Sequence, residues 1–391
     1  MKIMVVGMGQ CGCNIADEFY GINNYAKSFF GRRMEILIDA FAVNTDDADL
    51  ASVRHIPRDK RHRILIGLAK TFGHGVGKMN VEGATIMSEA YPVIVENLIT
   101  SSKFHESDGI VVVASGAGGT GSGGIGWLIK GLKERMEKPV YAIIVMPFAY
   151  EEKGEHSYAV INTARCLKTV NQYADAVFLL DNERFAKAGV GISTNLHEIN
   201  QQIVKNFYDL FCAGEEYRHQ YIGSKVIDAG DIKQTLGGIC TIGRGEVPLS
   251  TFYGRNKTDY REAAKESVGA IGALGQAINS LTLKANIEDA ARILVLISAP
   301  KDVTTLSVLS EISNSVQEKS PKAVLRIGDY PRRGKEISVS IILSQLTAVA
   351  RMEGLFLQAE LLLKNQEKIE EETAQKVKLM HQTSSNIPPL A

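Results

Sequence analysis

The sequence has no excess of charge: 44 Lys and Arg stand against 44 Asp and Glu over 391 residues. That balance excludes a general attraction to nucleic acid or to an anionic membrane, so any bound anion must be held by a local site. Long apolar runs are also missing. Gly, Pro or a charge interrupts every one before the roughly 18 residues needed to cross a bilayer, and direct membrane insertion is not expected. Cysteine is scarce, odd in number and scattered (Cys11, Cys13, Cys166, Cys212, Cys240), which excludes a disulfide framework and implies reduced thiols in a cytoplasmic compartment. Cys11-Gly-Cys13 lacks a second ligand pair at metal spacing, so these thiols are read as small buried residues and no metal site is expected. The opening MKIMVVG has none of the segments of a signal peptide, and the chain is expected to start inside its first strand. No G-x-x-x-x-G-K-[ST] occurs; Gly73-His-Gly-Val-Gly77-Lys78 has the wrong spacing, and without a P-loop Asn256-Lys-Thr-Asp259 is taken as coincidence.

What is present is a large core, with 45% hydrophobic residues and length enough for two or three domains. β-Branched runs recur between helical stretches: Ile3 to Val6, Ile36 to Val43, Ile64 to Ile66, Ile110 to Ala114, Val140 to Val145 and Ala176 to Leu180. Continuous apolar strands of this kind are buried on both faces, which predicts a parallel sheet covered by helices, with ligands at the carboxyl ends of its strands. Leu196, Ile199, Ile203, Val204, Phe207, Leu210 and Phe211 follow the helical period and predict a long buried helix ended by Ala213-Gly214. Beyond it, Gly237 to Ile242, Ile293 to Ile297, Val324 to Ile327 and the alternating Glu336 to Ile341 predict a mixed sheet in a smaller α/β domain. The expected division is 1–195, a helix over 196–213, a domain over 214–347, a surface helix over 348–382 carrying Leu355, Leu362 and Ile369 seven apart, and a flexible tail over 383–391.

Two glycine-rich loops carry the chemistry. Gly7-Met-Gly9-Gln10-Cys11-Gly12 follows a strand and opens a helix, a G-x-G-x-x-G arrangement in which glycines admit a phosphate to a helix N-terminus. Alone it also fits a dinucleotide oxidoreductase, which would need an acidic ribose ligand at the end of the second strand; Asp39 is the nearest candidate. The second loop, Ser115-Gly116-Ala117-Gly118-Gly119-Thr120-Gly121-Ser122-Gly123-Gly124, has four side chains in ten residues. Ordering so many glycines costs roughly 0.5 to 1 kcal/mol each relative to Ala, so the loop needs a compensating use. Backbone N–H groups around a polyphosphate supply one, with Thr120 and Ser122 hydroxyls available to phosphate or metal. A single-nucleotide Rossmann fold does not need this second loop.

The two loops, in this order, resemble those of the tubulin/FtsZ superfamily of polymerising GTPases, and the form Gln10-Cys11-Gly12-Cys13-Asn14 is most similar to its archaeal CetZ group. Gly116 to Gly124 resembles the family's signature loop, Ala42-Val43-Asn44-Thr45-Asp46 its second loop, and Gly73 to Asn80 its third loop near the terminal phosphate, with Gly77 inside it. The resemblance covers about 340 residues and implies GTP or GDP with Mg²⁺ as ligands. It implies a nucleotide site of Gly9, Gln10, Cys11, Gly12, Cys13, Asn14, Asn44, Asp46, Gly77, Gly116, Ala117, Gly118, Gly119, Thr120, Gly121, Ser122, Glu151, Asn182, Leu196 and Asn200. Glu151 would hold the ribose, though neighbouring Glu152 is an alternative. Asn182 and Asn200 would meet the guanine edge, Asn200 being otherwise a capping or solvent-facing residue. Leu196 stands where relatives often carry an aromatic.

The resemblance further implies self-association head to tail and hydrolysis completed by the next subunit. Asp228-Ala-Gly-Asp231 matches the loop whose carboxylates orient water, with no nucleophilic side chain required. Asp231 also suits a helix N-cap, and Val226 stands where FtsZ has Asn. Phe252, Tyr253 and Arg255 fall in the family's lateral-contact segment. The expected role is a filament of cell shape or division, with adaptor proteins as further partners. A nonhydrolysing GTP-binding filament regulator and an NAD-dependent oxidoreductase are the alternatives.

Overall fold

The apolar runs of the first half become strands, and the stretches between them become helices. The computed structural model describes residues 1–29, 31–154, 157–187, 189, 191–249 and 260–384. It begins β1 (Ile3–Met8), α1 (Gly9–Lys27), β2 (Leu37–Asn44), α2 (Asp47–Ser52), β3 (Arg63–Leu65), α3 (Leu68–Thr71) and α4 (Asn80–Ile99). Next come β4 (Gly109–Ser115), α5 (Thr120–Arg135), β5 (Val140–Met146), α6 (Tyr158–Tyr173) and β6 (Ala176–Asp181). A long α7 (Ile192–Ala213) and a short α8 (Ala229–Thr235) lead to β7 (Gly238–Pro248) and α9 (Tyr260–Asn279). The last elements are β8 (Arg292–Ala299), α10 (Leu306–Lys319), β9 (Val324–Pro331), β10 (Glu336–Leu346) and α11 (Ala350–Ser384). The expected lateral-contact residues Phe252, Tyr253 and Arg255 lie outside the described residues, as do positions 385–391 of the expected tail.

The strands form one mixed sheet in the order β3-β2-β1-β4-β5-β6-β7-β10-β8-β9. From β3 to β7 every neighbouring pair is parallel, whereas β10 runs antiparallel to both β7 and β8. Helices cover both faces, which is why β1 is buried throughout and β4 as far as Ala114: Met4, Val6 and Met8 enter one core, while Ile3 and Val5 enter the other. In α7, Phe207 meets Phe178 of β6 edge-on at 5.1 Å and stacks on Phe211 at 5.7 Å, seating the helix against the sheet.

Two features differ from expectation, the start of α7 and the apolar series of α11. α7 starts at Ile192 rather than Leu196, because its first turn is polar and outside the apolar period. α5 starts inside the second glycine-rich loop, at Thr120, absorbing its last glycines into the first turn. The seven-residue series of α11 leaves the body: Leu355 and Leu362 are 1% and 7% exposed and pack toward α6, but Ile369 is 43% exposed.

One buried charge joins four parts of the chain. Asp209 of α7, with a fully buried side chain, accepts from Arg32 after α1 at 2.9 Å, from Arg332 after β9 at 3.1 Å and from Arg244 of β7. Burial opposes its ionisation, but the Arg244, Arg332 and Arg32 guanidiniums prevail and hold the carboxyl at about 2. A folded-state value below the unfolded one contributes stability that is present above about pH 4 and is lost as pH falls toward 2. Asp209→Asn is therefore expected to lose about 3 to 5 kcal/mol in urea unfolding at neutral pH. It should also flatten the pH dependence of stability between about pH 4 and 2; an unchanged slope would remove Asp209 from that role.

Candidate functional site

The sheet's chain order reverses between β1 and β4, where a parallel sheet opens a crevice at its carboxyl edge. A cleft of about 400 Å³ lies there, walled by the ends of β1, β2 and β4 and the starts of α1 and α5. Neither helix has a side-chain cap: the N-cap positions are Met8 and Gly119, so their first N–H groups are left for a ligand. By contrast α2, beside them, is capped by Asp46.

Close approach explains most of the glycines. A Cβ on Gly12 would stand 2.2 Å from the Val113 carbonyl oxygen, and one on Gly121 would stand 2.7 Å from that of Met8. The two helix starts could not reach the strand ends otherwise. Gly118 is different, because a Cβ there meets nothing within 4 Å and projects into open space. It lines the cleft as half-buried bare backbone, the kind of surface a phosphate can approach.

Of the site residues expected from the sequence, the cleft brings together Gly9, Gln10, Cys11, Asn44, Asp46, Gly77, Ala117, Gly118, Gly119, Thr120, Gly121, Glu151, Asn182 and Leu196. Gly12, Cys13, Gly116 and Ser122 support it from behind. Cys13 is buried with its thiol toward the Gly7 and Val43 carbonyls, and the Ser122 hydroxyl donates to the Gly118 carbonyl. Asn14 and Asn200, on α1 and α7, are not among its lining residues. Glu151 and Glu152 separate clearly: Glu151 accepts from the Phe148 N–H at 3.1 Å on the cleft wall, while Glu152 is held by Arg351 of α11. Burial, and then the Glu151 charge, push the Cys11 thiol up to about 12, so it is not a reactive thiolate.

Sequence reading missed the residues that brace the cleft. Asn162 of α6 donates to the carbonyls of Lys78 (2.7 Å), Ala117 (3.2 Å) and Gly118 (3.2 Å), tying the third loop to the glycine-rich one. Nothing in its helical context marks it. Asp49 lines the wall and accepts from Asn44 at 2.9 Å, and burial raises its carboxyl above the ordinary value. Lys78 adds a cation, 3.9 Å from Glu151. Asp39 does not fit the oxidoreductase alternative: it bonds Ser101 and lies near His62, five positions before the end of β2, and does not line the cleft.

Asp228 and Asp231 stand apart. Leu196 lines the cleft and Ala213 ends α7, which at about 1.5 Å per residue puts these points roughly 25 Å apart. The two carboxylates follow beyond that far end. They form a capping box on α8 in which Asp228, not Asp231 as the sequence suggested, is the N-cap. Asp231 accepts from the Asp228 N–H at 3.3 Å and also faces Arg326 of β9 at 3.2 Å. Val226 is 44% exposed.

A crevice at the sheet's switch point, two uncapped helices and a second glycine loop define a tubulin-like nucleotide cleft, and the chain belongs to the tubulin/FtsZ family. Residues 2–189 match the Tubulin/FtsZ family, GTPase domain. Residues 189–360 match the Tubulin-like CetZ, C-terminal domain. The chain is 33% identical to Tubulin-like protein CetZ1 of Haloferax volcanii over 95% of its own length and 94% of that protein. Its fold is similar to the GDP-bound monomer of that CetZ1 (TM-score 0.78, 30% identity, 92% and 98% of the two chains). It is also similar to CetZ2 of the same organism in a GTPγS-bound protofilament (TM-score 0.79, 28% identity, 94% and 100%).

Two substitutions separate bracing from lining. Asn162→Ala strands the Lys78 and Ala117 carbonyls, while Ser122 still serves that of Gly118, and should cost about 1 to 3 kcal/mol in thermal or chemical unfolding. Gly118→Val adds a side chain into open space and should leave unfolding within about 0.5 kcal/mol of the parent. A reversed order would contradict the cleft geometry.

Proposed function

We propose that the chain binds GTP and GDP in this cleft, assembles head to tail into filaments, and hydrolyses GTP at a site completed by Asp228 and Asp231 of the next subunit. The observation that carries the reading is the length of α7, which puts the cleft and the carboxylate pair at opposite ends of one chain. Carboxylates about 25 Å from a phosphate cannot orient its attacking water, but the same pair on a stacked copy can. Contacts of this heterologous kind build open filaments. The protofilament form of CetZ2 supports the assembly step. The role is that of a cytoplasmic element of cell shape or division, and the unpaired cysteines agree with a reducing compartment.

The cleft's charges bear on the metal. Asp46, Asp49 and Glu151 line it against Lys78, so a nucleotide's phosphates enter a wall that is net negative. Backbone N–H groups of α1 and α5 hold the phosphates, and a divalent cation offsets the carboxylates. No group of three or more His, Cys, Asp or Glu is placed to hold a metal among the described residues. Mg²⁺ therefore fits as an ion that arrives with the phosphates, near Asp46 and Asp49. Glu151 suits the ribose hydroxyls, while Asn182, whose side-chain amide has no hydrogen bond among the described residues, suits the guanine edge.

A nonhydrolysing filament protein is the second reading. It is favoured by the engagement of Asp231 with Arg326 and by Val226 in the same loop. One experiment separates the two: GTP turnover against protein concentration with Mg²⁺, wild type beside Asp228→Asn with Asp231→Asn, while pelletable polymer is followed. Asn keeps the helix cap and removes the charge. Specific activity that rises with concentration, and a variant that polymerises and binds GTP without turning it over, are expected. Flat activity unaffected by the double substitution would sink the shared site, and polymer without any turnover would favour the second reading. Gly118→Val should weaken GTP binding on the order of 100-fold, about 2.7 kcal/mol, in a folded protein.

A further inference from the structure

A second cleft, about 540 Å³, opens at the other end of α1. Arg32 and Arg33 enter it from the turn after α1, Arg218 from the segment after α7, and Arg332 and Arg333 from the β9–β10 turn; no Asp or Glu lines it. Three carboxylates stand behind these five cations. Asp209 serves Arg32 and Arg332, Glu216 binds Arg218 through two contacts of 2.7 Å, and Glu336 lies 3.6 Å from Arg332. Five charges against three leave two unmatched, before Arg244 takes its own share of Asp209. Arg33 and Arg333 are exposed, and neither has an ion pair among the described residues.

Carboxylate partners prevail at Arg32 and Arg218, whose guanidiniums are raised above the ordinary value, but not at Arg332. Burial, together with the neighbouring Arg244 and Arg32, pulls the Arg332 guanidinium below its ordinary value although Asp209 opposes them. Aromatic rings fix the forks: Arg33 lies over Phe29 at 4.2 Å and Arg218 over Tyr221 at 4.6 Å. The cleft is also separate from the sites above. Gly9 to Lys27 spans roughly 27 Å of helix, and Arg332 lies six positions along from Arg326, the partner of Asp231, or roughly 20 Å of extended chain.

We propose that this arginine cleft is a second anion site, taking a compact, multiply charged phosphate compound through paired guanidinium forks. Planar forks match phosphate oxygens two at a time, and a volume of about 540 Å³ is that of a small-molecule site. Condensed phosphate puts several charges into such a space. The same chemistry is offered by inorganic polyphosphate and by the phosphate tail of a nucleotide.

The test is calorimetric titration of the full chain, saturated with GDP, with inorganic triphosphate at low salt. Saturable binding is expected, together with a rise in melting temperature as the anion relieves the repulsion among the arginines. Arg33→Gln with Arg333→Gln should weaken it at least tenfold while leaving GDP binding unchanged; both residues are exposed, so the fold is not at stake. The Gly118→Val protein should bind triphosphate as the parent does, which separates this site from the first cleft. ATP binding as tightly as triphosphate in the GDP-saturated protein would identify a nucleotide's tail as the ligand, and weaker ATP binding would identify inorganic polyphosphate. No saturable binding, binding indifferent to the double substitution, or equal displacement by sulfate at matched ionic strength would overturn the proposal.

Discussion

The distance at which two helices start from a sheet edge governs the first cleft. α1 and α5 reach the ends of β1 and β4 only because Gly12 and Gly121 lack a Cβ, which would otherwise lie 2.2 and 2.7 Å from strand carbonyl oxygens. Gly123 of α5 and Gly83 of α4 meet the same limit, since a Cβ would stand 2.0 Å from the Asn80 carbonyl oxygen and 2.4 Å from that of Gly119, respectively. From this contact follow the shared cleft, its backbone lining and the absence of side-chain caps. A cap would supply the hydrogen bonds that the ligand is left to make.

α7 converts this local arrangement into a longer one. Its first turns reach the cleft through Leu196, its middle packs on β6 through Phe207, and its last turns carry Asp209 into a cluster of three arginines. Those arginines come from the turn after α1, from β7 and from the β9–β10 turn, so the buried carboxylate clamps the second half of the sheet to the helix that touches the nucleotide cleft. A buried ion pair is weak evidence of net stability, since desolvation offsets much of the attraction. Its geometry is specific, however: only one placement of these three segments satisfies Asp209.

Much of this was legible in the sequence because strands buried on both faces must be apolar throughout, and because glycines at strand-to-helix junctions have few other uses. The glycines of both loops meet in one cleft for that reason, whereas Glu151, Asn182 and Leu196 were expected there only from the family resemblance. What could not be read depends on contacts between distant segments. Asn162 sits in an ordinary helix, and its three carbonyl partners belong to two other loops. Glu151 and Glu152 are equivalent as adjacent letters; the tertiary contact from Arg351 tells them apart. The start of α7 is not legible where mostly polar residues form its first turn, since periodicity sees only the apolar stripe.

A formal net charge of zero conceals a division of sign along the molecule. Asp46, Asp49 and Glu151 gather at the end where α1 begins, and five arginines gather where it ends. In the proposed head-to-tail stack the arginines of one copy lie on the same end as Asp228 and Asp231 and so offset their charge as that end approaches the acidic cleft of the next. Complementary charge of this kind contributes mainly to encounter rate and orientation, and like-charge juxtaposition penalises the wrong arrangement. Phosphate in the first cleft makes that end more negative, and its loss makes it less so. If the proposed assembly holds, this change in charge falls at the end where the next subunit would dock.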